Sequence, residues 1–372
     1  MRMDLAWFRQ LLEIDSTSGK ERTVAEWLEK HLEAPHTERF EVGDGTLNLL
    51  LSWGTPQVIF CTHMDTVPPY LSPSFEMSPD AIIRGRGACD AKGQLFALYT
   101  ACRALAEAGE TGFGLLLLAG EETGSYGAKA FAKTGFRAPY LIIGEPTGNQ
   151  MVSASKGTQS YDLVFTGKAF HSGYPEHGVS AVDLFVRFME QLQAADFGED
   201  PELGPTTWNV GLLHSDNPQN ILSPRLTCRL YFRTTFVSHL AVQEWMASAP
   251  DRLAPAMRNP AICPESIPSE RPGPDRVALP ENGPRQGDPG PGLTVTPRGG
   301  DTPARYLTLD GFPAKPVAFG SDAPHLTNFR EKVICGPGSI TVAHRDDEQV
   351  RLADLEQAVS QYIAFFHRLN NR

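Results

Sequence analysis

Short, nearly uninterrupted apolar runs alternate with stretches of helical spacing along much of the chain. Residues 58–61 (Val-Ile-Phe-Cys), 113–119 with four consecutive leucines, 140–143 (Tyr-Leu-Ile-Ile) and 333–335 (Val-Ile-Cys) have no polar alternation. Runs of this kind are expected of strands buried on both faces, as in a parallel sheet covered by helices. Residues 95–108 place apolar side chains at helical spacing and stop at Gly109, a residue suited to ending a helix. Residues 1–13 read as an amphipathic helix. A second helix is expected to begin at Ser18, whose three-residue offset to Glu21 fits a capping box.

The pattern changes in the middle of the chain. Strands are expected near 158–166, 206–214 and 226–234, with helices over 179–192 and 238–248. In the first of these helices Ala181, Val182, Leu184, Phe185, Phe188, Met189 and Leu192 form one apolar face, expected to pack on the strands of the same unit. This is a compact α+β unit set into a larger α/β domain with a central, mostly parallel sheet flanked by helices. The boundaries expected are 1–156 for the first part of the larger domain, 157–257 for the insertion, and 258–372 for the second part. Residues 258–300 are crowded with proline and glycine and read as an irregular segment. Residues 293–296 (Leu-Thr-Val-Thr) are a candidate last strand of the insertion, which would extend it to about 298.

Composition narrows the function. At 372 residues the chain can bury a substantial core, and 41% hydrophobic with 21% charged residues is ordinary for a soluble protein. A formal net charge of −11 argues against a phosphate-backbone partner, so no nucleic acid is expected. No run is long enough to span a bilayer and the amino terminus does not read as a signal peptide, so no membrane partner is expected. Six cysteines, at 61, 89, 102, 228, 263 and 335, show no paired spacing. Buried free thiols in a reducing cytoplasm account for them.

Candidate chemistry sits just past the apolar or glycine-rich stretches, at His63-Met64-Asp65, Asp90, Glu121-Glu122, Glu145 and His344. In open α/β sheets the crevice outside the carboxyl ends of the strands is where ligands bind. Any one of these clusters is ordinarily a solvated turn or a satisfied core residue. Together they set carboxylates repeatedly against apolar runs, where an unpaired buried charge costs several kcal/mol. A bound cation removes that cost. Imidazoles and carboxylates without a thiolate suit zinc, cobalt or manganese, whereas calcium prefers oxygen alone. Five such groups are too many for one catalytic zinc. With one carboxylate bridging, they suit two ions roughly 3.5–4 Å apart, and Asp90, central in the series, is the natural bridge.

The series His63-x-Asp65, Gly87-x-x-Asp90-x-Lys92-Gly93, Gly120-Glu121-Glu122-x-Gly124, Gly144-Glu145-Pro146-Thr147 and Gly336-Pro337-Gly338 with His344 and Glu348 resembles the motifs of the dinuclear zinc aminoacylase and carboxypeptidase family. That family includes acetylornithine deacetylase and succinyl-diaminopimelate desuccinylase. The resemblance implies a zinc-peptidase-like catalytic domain with an inserted dimerisation (lid) domain. It implies two zinc ions per subunit, with cobalt or manganese as substitutes, one held by His63, Asp90 and Glu145 and the other by Asp90, Glu122 and His344. Asp65 would orient His63, and Glu121 would be the general base that delivers a proton to the leaving amine. In the insertion, His171 would reach across a homodimer to support the oxyanion. Asn220 and Arg233 would meet the substrate carboxylate, and Ser321 lies in a segment, 318–324, that shapes substrate binding in the family.

Glu145, a glutamate rather than an aspartate, is similar to the family's deacylases and carboxypeptidases more than to its aminopeptidases. Gly336-Pro337-Gly338-Ser339-Ile340 followed by Ala343-His344 resembles acetylornithine deacetylase. The expectation is therefore an amidohydrolase that removes an N-acyl group, acetyl foremost, from an amino acid such as N-acetylornithine, with the attacking hydroxide bridging the metals. Alternatives are a dipeptidase, carboxypeptidase or desuccinylase with the same metals, and a non-catalytic metal-binding assembly protein.

Overall fold

The computed structural model describes residues 3–43, 45–76, 81–257 and 290–371. The chain forms two compact units, Met1–Ser155 with Ala304–Arg372, and Lys156–Pro303.

The larger unit is built on a six-stranded sheet in the order His36–Gly43, Thr46–Trp53, Phe113–Leu118, Val58–His63, Ala138–Ile143, Phe329–Ile334. The first two junctions are antiparallel and the remaining three parallel. The continuous apolar runs are explained by two-sided burial. Leu115, Leu117, Val58 and Phe60 join a core shared with helices Leu5–Glu13, Glu21–His31, Lys92–Glu107 and Leu352–Asn370. Their alternates Leu116, Leu118, Ile59 and Cys61 join a second core with Phe131, Leu326 and Phe329. Each strand is thus apolar on both faces because each face meets its own layer. All four parallel strands therefore end at the same edge of the sheet, which brings the turns after them together.

The expected capping box does not form. The second helix starts at Glu21 behind Lys20, with no side-chain cap. The Ser18 hydroxyl instead donates to the Asp65 carboxylate at 2.8 Å, and the Gly19 N–H donates to Glu21 at 2.7 Å. A buried carboxylate is a stronger acceptor for that hydroxyl than exposure at a helix end would offer in return.

The smaller unit has a four-stranded antiparallel sheet in the order Thr207–His214, Arg225–Thr234, Gly157–Thr166, Gly292–Gly299. The 293–296 segment is thus part of its edge strand Gly292–Gly299. Leu226, Cys228, Leu230 and Phe232 alternate inward against Leu184, Phe188 and Leu192 of helix Ala181–Ala194. Val182, expected on the apolar face of that helix, is instead exposed.

Among the described residues no helix is long and apolar enough to cross a membrane. Cys61, Cys89, Cys102, Cys228 and Cys335 are buried free thiols. Cys263, and the 258–289 part of the proline- and glycine-rich segment, lie outside the described residues.

Candidate metal centre

Strand Val58–His63 ends on His63 itself, 2% exposed, with Asp65 fully buried two residues on. His63 Nδ1 donates to the Asp65 carbonyl oxygen at 3.0 Å, and the Asp65 carboxylate lies 3.4 Å away. That leaves Nε2 as the basic nitrogen, and it points at Asp90 Oδ1, 3.1 Å distant. Asp90 lies two residues ahead of helix Lys92–Glu107, and the Asp90–Ala91 peptide is cis.

Strand Phe113–Leu118 leads through Gly120, whose φ of +69° suits glycine, into the Glu121-Glu122 pair. Asp65 fixes this turn. One of its carboxylate oxygens accepts the Glu121 N–H at 3.0 Å, and the other accepts the Glu122 N–H at 3.1 Å and the Ser18 hydroxyl. Glu145 follows strand Ala138–Ile143 and is 5% exposed. Gly336, after strand Phe329–Ile334, must be glycine for a different reason: a Cβ there would lie 2.1 Å from Gln94 Oε1 and 2.7 Å from the Glu145 carbonyl.

His344 reaches the cluster from an exposed loop. Its Nε2 lies 2.9 Å from Glu122 Oε1 and 3.4 Å from Asp90 Oδ2. Asp90 therefore has one imidazole against each carboxylate oxygen. His63, Asp90 and Glu145 each offer one ligand atom within 4.8 Å of the others, and so do Asp90, Glu122 and His344. His63, Glu121 and Glu122 make a third such group. Around two histidines the site gathers Asp65, Asp90, Glu121, Glu122, Glu145 and Asp322, a donor set of imidazole nitrogen and carboxylate oxygen that fits divalent cations.

Electrostatics express the same imbalance. Burial drives the Glu121 and Glu145 carboxyls well above the usual range; the negative charge of Asp90 pushes both in the same direction, while His63 pulls against it. Burial likewise pushes Asp322 up to about 7. Hydrogen bonds to Asp90 and Glu122 lift His344 to about 10, while burial opposes this. His63 is also raised well above its ordinary value: burial works against its charge, but Asp65 and Asp90 outweigh it. Asp90 itself is held well below the carboxylate range by its two imidazoles, against the effect of burial.

Of the remaining sequence candidates, three belong to the smaller unit. In the smaller unit His171 and Asn220 are neighbours: the Ser172 N–H donates to the Asn220 carbonyl at 2.9 Å, and residues 171 and 221 form a bridge. Both side chains are exposed, and His171 Nδ1 accepts the Gly173 N–H at 3.1 Å. Arg233 stands on strand Arg225–Thr234 with its guanidinium 5.1 Å from the Tyr231 ring centroid. Ser321 is buried and accepts the Ala323 N–H at 3.3 Å, serving a turn. Its neighbour Asp322 is the residue that feels the cluster; Asp322 Oδ1 is buried without a hydrogen-bond partner.

Several contributors were not singled out by sequence reasoning. Ser18 looked like a helix cap. Gln94, read only as part of a helix, donates through Nε2 to the Cys89 and Pro337 carbonyls at 2.9 and 2.8 Å, joining the Asp90 turn to the 336–338 loop. Asp322 carried a legible signal, an acid following an apolar stretch and a glycine, the same pattern that marked the others.

A family model described as Peptidase family M20/M25/M40 matches residues 59–274, more than half of the chain. A probable carboxypeptidase of Aspergillus flavus is 28% identical over 399 residues, covering 96% of this chain and 88% of the relative. A tripeptidase structure from Staphylococcus aureus superposes with a TM-score of 0.77 at 18% identity, over 99% of this chain and 98% of that one. An M20 family metallo-carboxypeptidase of Sulfolobus solfataricus superposes with a TM-score of 0.63 at 16% identity, over 98% of each chain. At these identities the two structures speak to the fold.

Proposed function

The chain belongs to peptidase family M20/M25/M40, and from that premise we propose that it is a metal-dependent exopeptidase that releases a C-terminal amino acid from a dipeptide or other short acyl–amino-acid amide. The observation that carries this reading is the pair of three-residue groups, His63, Asp90, Glu145 and Asp90, Glu122, His344, which share one carboxylate. Those residues would hold two zinc ions, with cobalt or manganese as substitutes, Asp90 between them. Bound there, the ions supply Lewis-acid polarisation of the scissile carbonyl and lower the pKa of an attacking water.

The protein's own groups do the rest. Glu121, partly buried and with its carboxyl raised well above the usual range, chiefly by burial, is a strong base once ionised; in that form it takes a proton from the attacking water at a carboxylate oxygen and returns it to the leaving amine nitrogen. Asp65 keeps Glu121 in place through its backbone N–H and keeps His63 in the tautomer that presents Nε2. His171 is assigned to oxyanion support, and Asn220 and Arg233 to the free carboxylate of the released amino acid, for which a guanidinium fork is well matched. Ser321 lies beside the site in sequence and would contribute to substrate fit. The name of the Aspergillus flavus relative favours a carboxypeptidase, as does glutamate at position 145.

A second reading, N-acetyl-amino-acid deacetylation with N-acetylornithine as the type substrate, is favoured by the 336–344 segment, which resembles acetylornithine deacetylase. It uses the same machinery with a smaller acyl group. We also propose a homodimer formed through the smaller unit and a cytoplasmic location. Thr207–His214 is an edge strand of that unit's sheet, Leu212 and Leu213 are exposed on it, and Val182 and Val186 are exposed on helix Ala181–Ala194. Edges of this kind invite pairing.

The test is amino-acid release by zinc- and cobalt-loaded protein from dipeptides and from N-acetyl and N-succinyl amino acids. Release led by dipeptides is expected, with kcat lowered roughly 10²–10⁴-fold in Glu121→Gln. Release led by acetylornithine moves the protein to the deacetylases; turnover unaffected by the substitution removes Glu121 from the mechanism.

A further inference from the structure

Arg86 and Glu348, both 1% exposed, form an ion pair at 2.7 Å in the interior of the larger unit. Desolvating two charges costs more than their attraction commonly returns, so a buried pair is weak evidence of stabilisation for its own sake. What each ion holds is more informative. Glu348 Oε1 accepts the N–H of Cys89 at 2.9 Å and of Asp90 at 3.0 Å, while Oε2 receives Arg86 Nη1. Arg86 Nη1 also donates to the Arg345 carbonyl at 3.1 Å, and Nε to the Pro69 carbonyl at 3.0 Å. One carboxylate therefore grips the peptide that carries Asp90. Its counter-ion grips the carbonyl of Arg345, the residue next to His344.

His344 needs such a grip. Its side chain is 48% exposed and so is not located by packing. Its backbone stands at φ +63°, a left-handed conformation that costs a non-glycine residue about 1–3 kcal/mol and persists only where its surroundings hold it. His63 and Glu145, by contrast, are placed by strand ends inside the sheet and are buried.

We infer that Arg86 and Glu348 are positioning residues for the metal centre: they set the gap between Asp90 and His344 and thereby chiefly the affinity of the Asp90, Glu122, His344 subsite, whereas the His63, Asp90, Glu145 subsite depends on them only through Asp90, whose two N–H contacts a glutamine at 348 retains. The inference rests on the two-cation reading above. A glutamine at 348 can still accept the two backbone N–H groups, but its amide NH2 would face the Arg86 guanidinium, donor against donor, and release it from the Arg345 carbonyl. A lysine at 86 keeps the charge and cannot reach both carbonyls as the planar fork does.

The test titrates chelator-stripped wild type, Glu348→Gln, Arg86→Lys and His344→Ala with Zn2+ and with Co2+. Ions bound per chain are counted by elemental analysis, Co2+ absorption bands are recorded, and far-UV circular dichroism checks folding. Wild type is expected to bind two ions. Glu348→Gln and Arg86→Lys should weaken one ion by roughly 10–100-fold, with the cobalt spectrum moving toward that of His344→Ala and the other ion unchanged within about threefold. Equal weakening of both ions, in step with a fall in melting temperature, would mark the pair as merely structural and overturn the inference, as would unchanged binding of both. Should Glu348→Gln fail to fold, Arg86→Lys, which keeps the ion pair, decides alone. Wild-type protein that takes up fewer than two ions overturns the two-cation reading and this inference with it, an outcome distinct from a wild type that binds two and variants that do the same.

Discussion

His344 Nε2 and His63 Nε2 flank the two oxygens of Asp90 at 3.4 and 3.1 Å, and the protonation of these rings sets a pH dependence that can be worked out in sign. In the fold without metal, His344 is raised from 6.5 to about 10 by Asp90 and Glu122. A raised folded-state pKa gives stabilisation that is complete below the unfolded value and lost as pH rises through the folded one. Glu121 and Glu145, raised chiefly by burial, act in the same direction, whereas the depressed Asp90 and Asp65 act only in acid. The chelated protein should therefore lose melting temperature between about pH 7 and pH 10, and His344→Ala should lose less over the same window. Thermal unfolding across pH measures this, and parallel curves for the two proteins would contradict it. The positions of His63, Asp65, Glu121 and Glu145 were legible in the sequence because the apolar run before each gives a strand and hence a strand end, whereas Asp90 and His344 follow glycine-rich turns. Glu348 stands in the motif series, but its pairing with Arg86 was not legible, since the two are 262 residues apart and nothing local marks Arg86 as buried.

At the scale of elements, the parallel strands hold the site by being fixed on both faces. Leu117 points into one core and Leu116 into the other, both fully buried. Leu117→Ala should cost about 2–5 kcal/mol, the range for a large-to-small change in a core that cannot collapse. Denaturant unfolding at unchanged m-value is the check; a loss below about 1 kcal/mol would mean the helix layer on that side is loosely packed. The four parallel strands of the larger unit and the strands of the smaller one's four-stranded sheet could be anticipated from their patterning, because two-sided burial leaves continuous apolar runs and one-sided burial leaves alternation, whereas His36–Gly43 and Thr46–Trp53 were not anticipated. The helix start at Glu21 could not be read correctly, because Ser18 has a partner 47 residues away that outcompetes the local cap. Turn chemistry next to a buried carboxylate is decided by tertiary structure, and local sequence rules fail there for a physical reason.

For the whole molecule, membership of a peptidase family and a shared-carboxylate centre bring the two-domain expectation, the acidic composition and the buried carboxylates into one account. The edge strand Thr207–His214 with exposed Leu212 and Leu213 gives the dimer proposal a checkable form: light scattering should give twice the 40.7 kDa of the chain, and Leu213→Lys should return it to the monomer mass. Two monomeric masses would remove the proposal. Substrate choice was the least legible property, since the residues proposed to meet the substrate, Arg233, Asn220 and His171 of the smaller unit, are of types common on any surface.

The central claim is that Asp90 is shared by two cations. Crystals of zinc-loaded protein, with diffraction recorded on both sides of the zinc absorption edge, test it most directly. Two anomalous peaks about 3.5–4 Å apart are predicted, one within coordination distance of His63 and Glu145, the other of Glu122 and His344, with one Asp90 oxygen toward each. A single peak held by His63, Glu121 and Glu122, the competing group in the same cluster, would contradict the account.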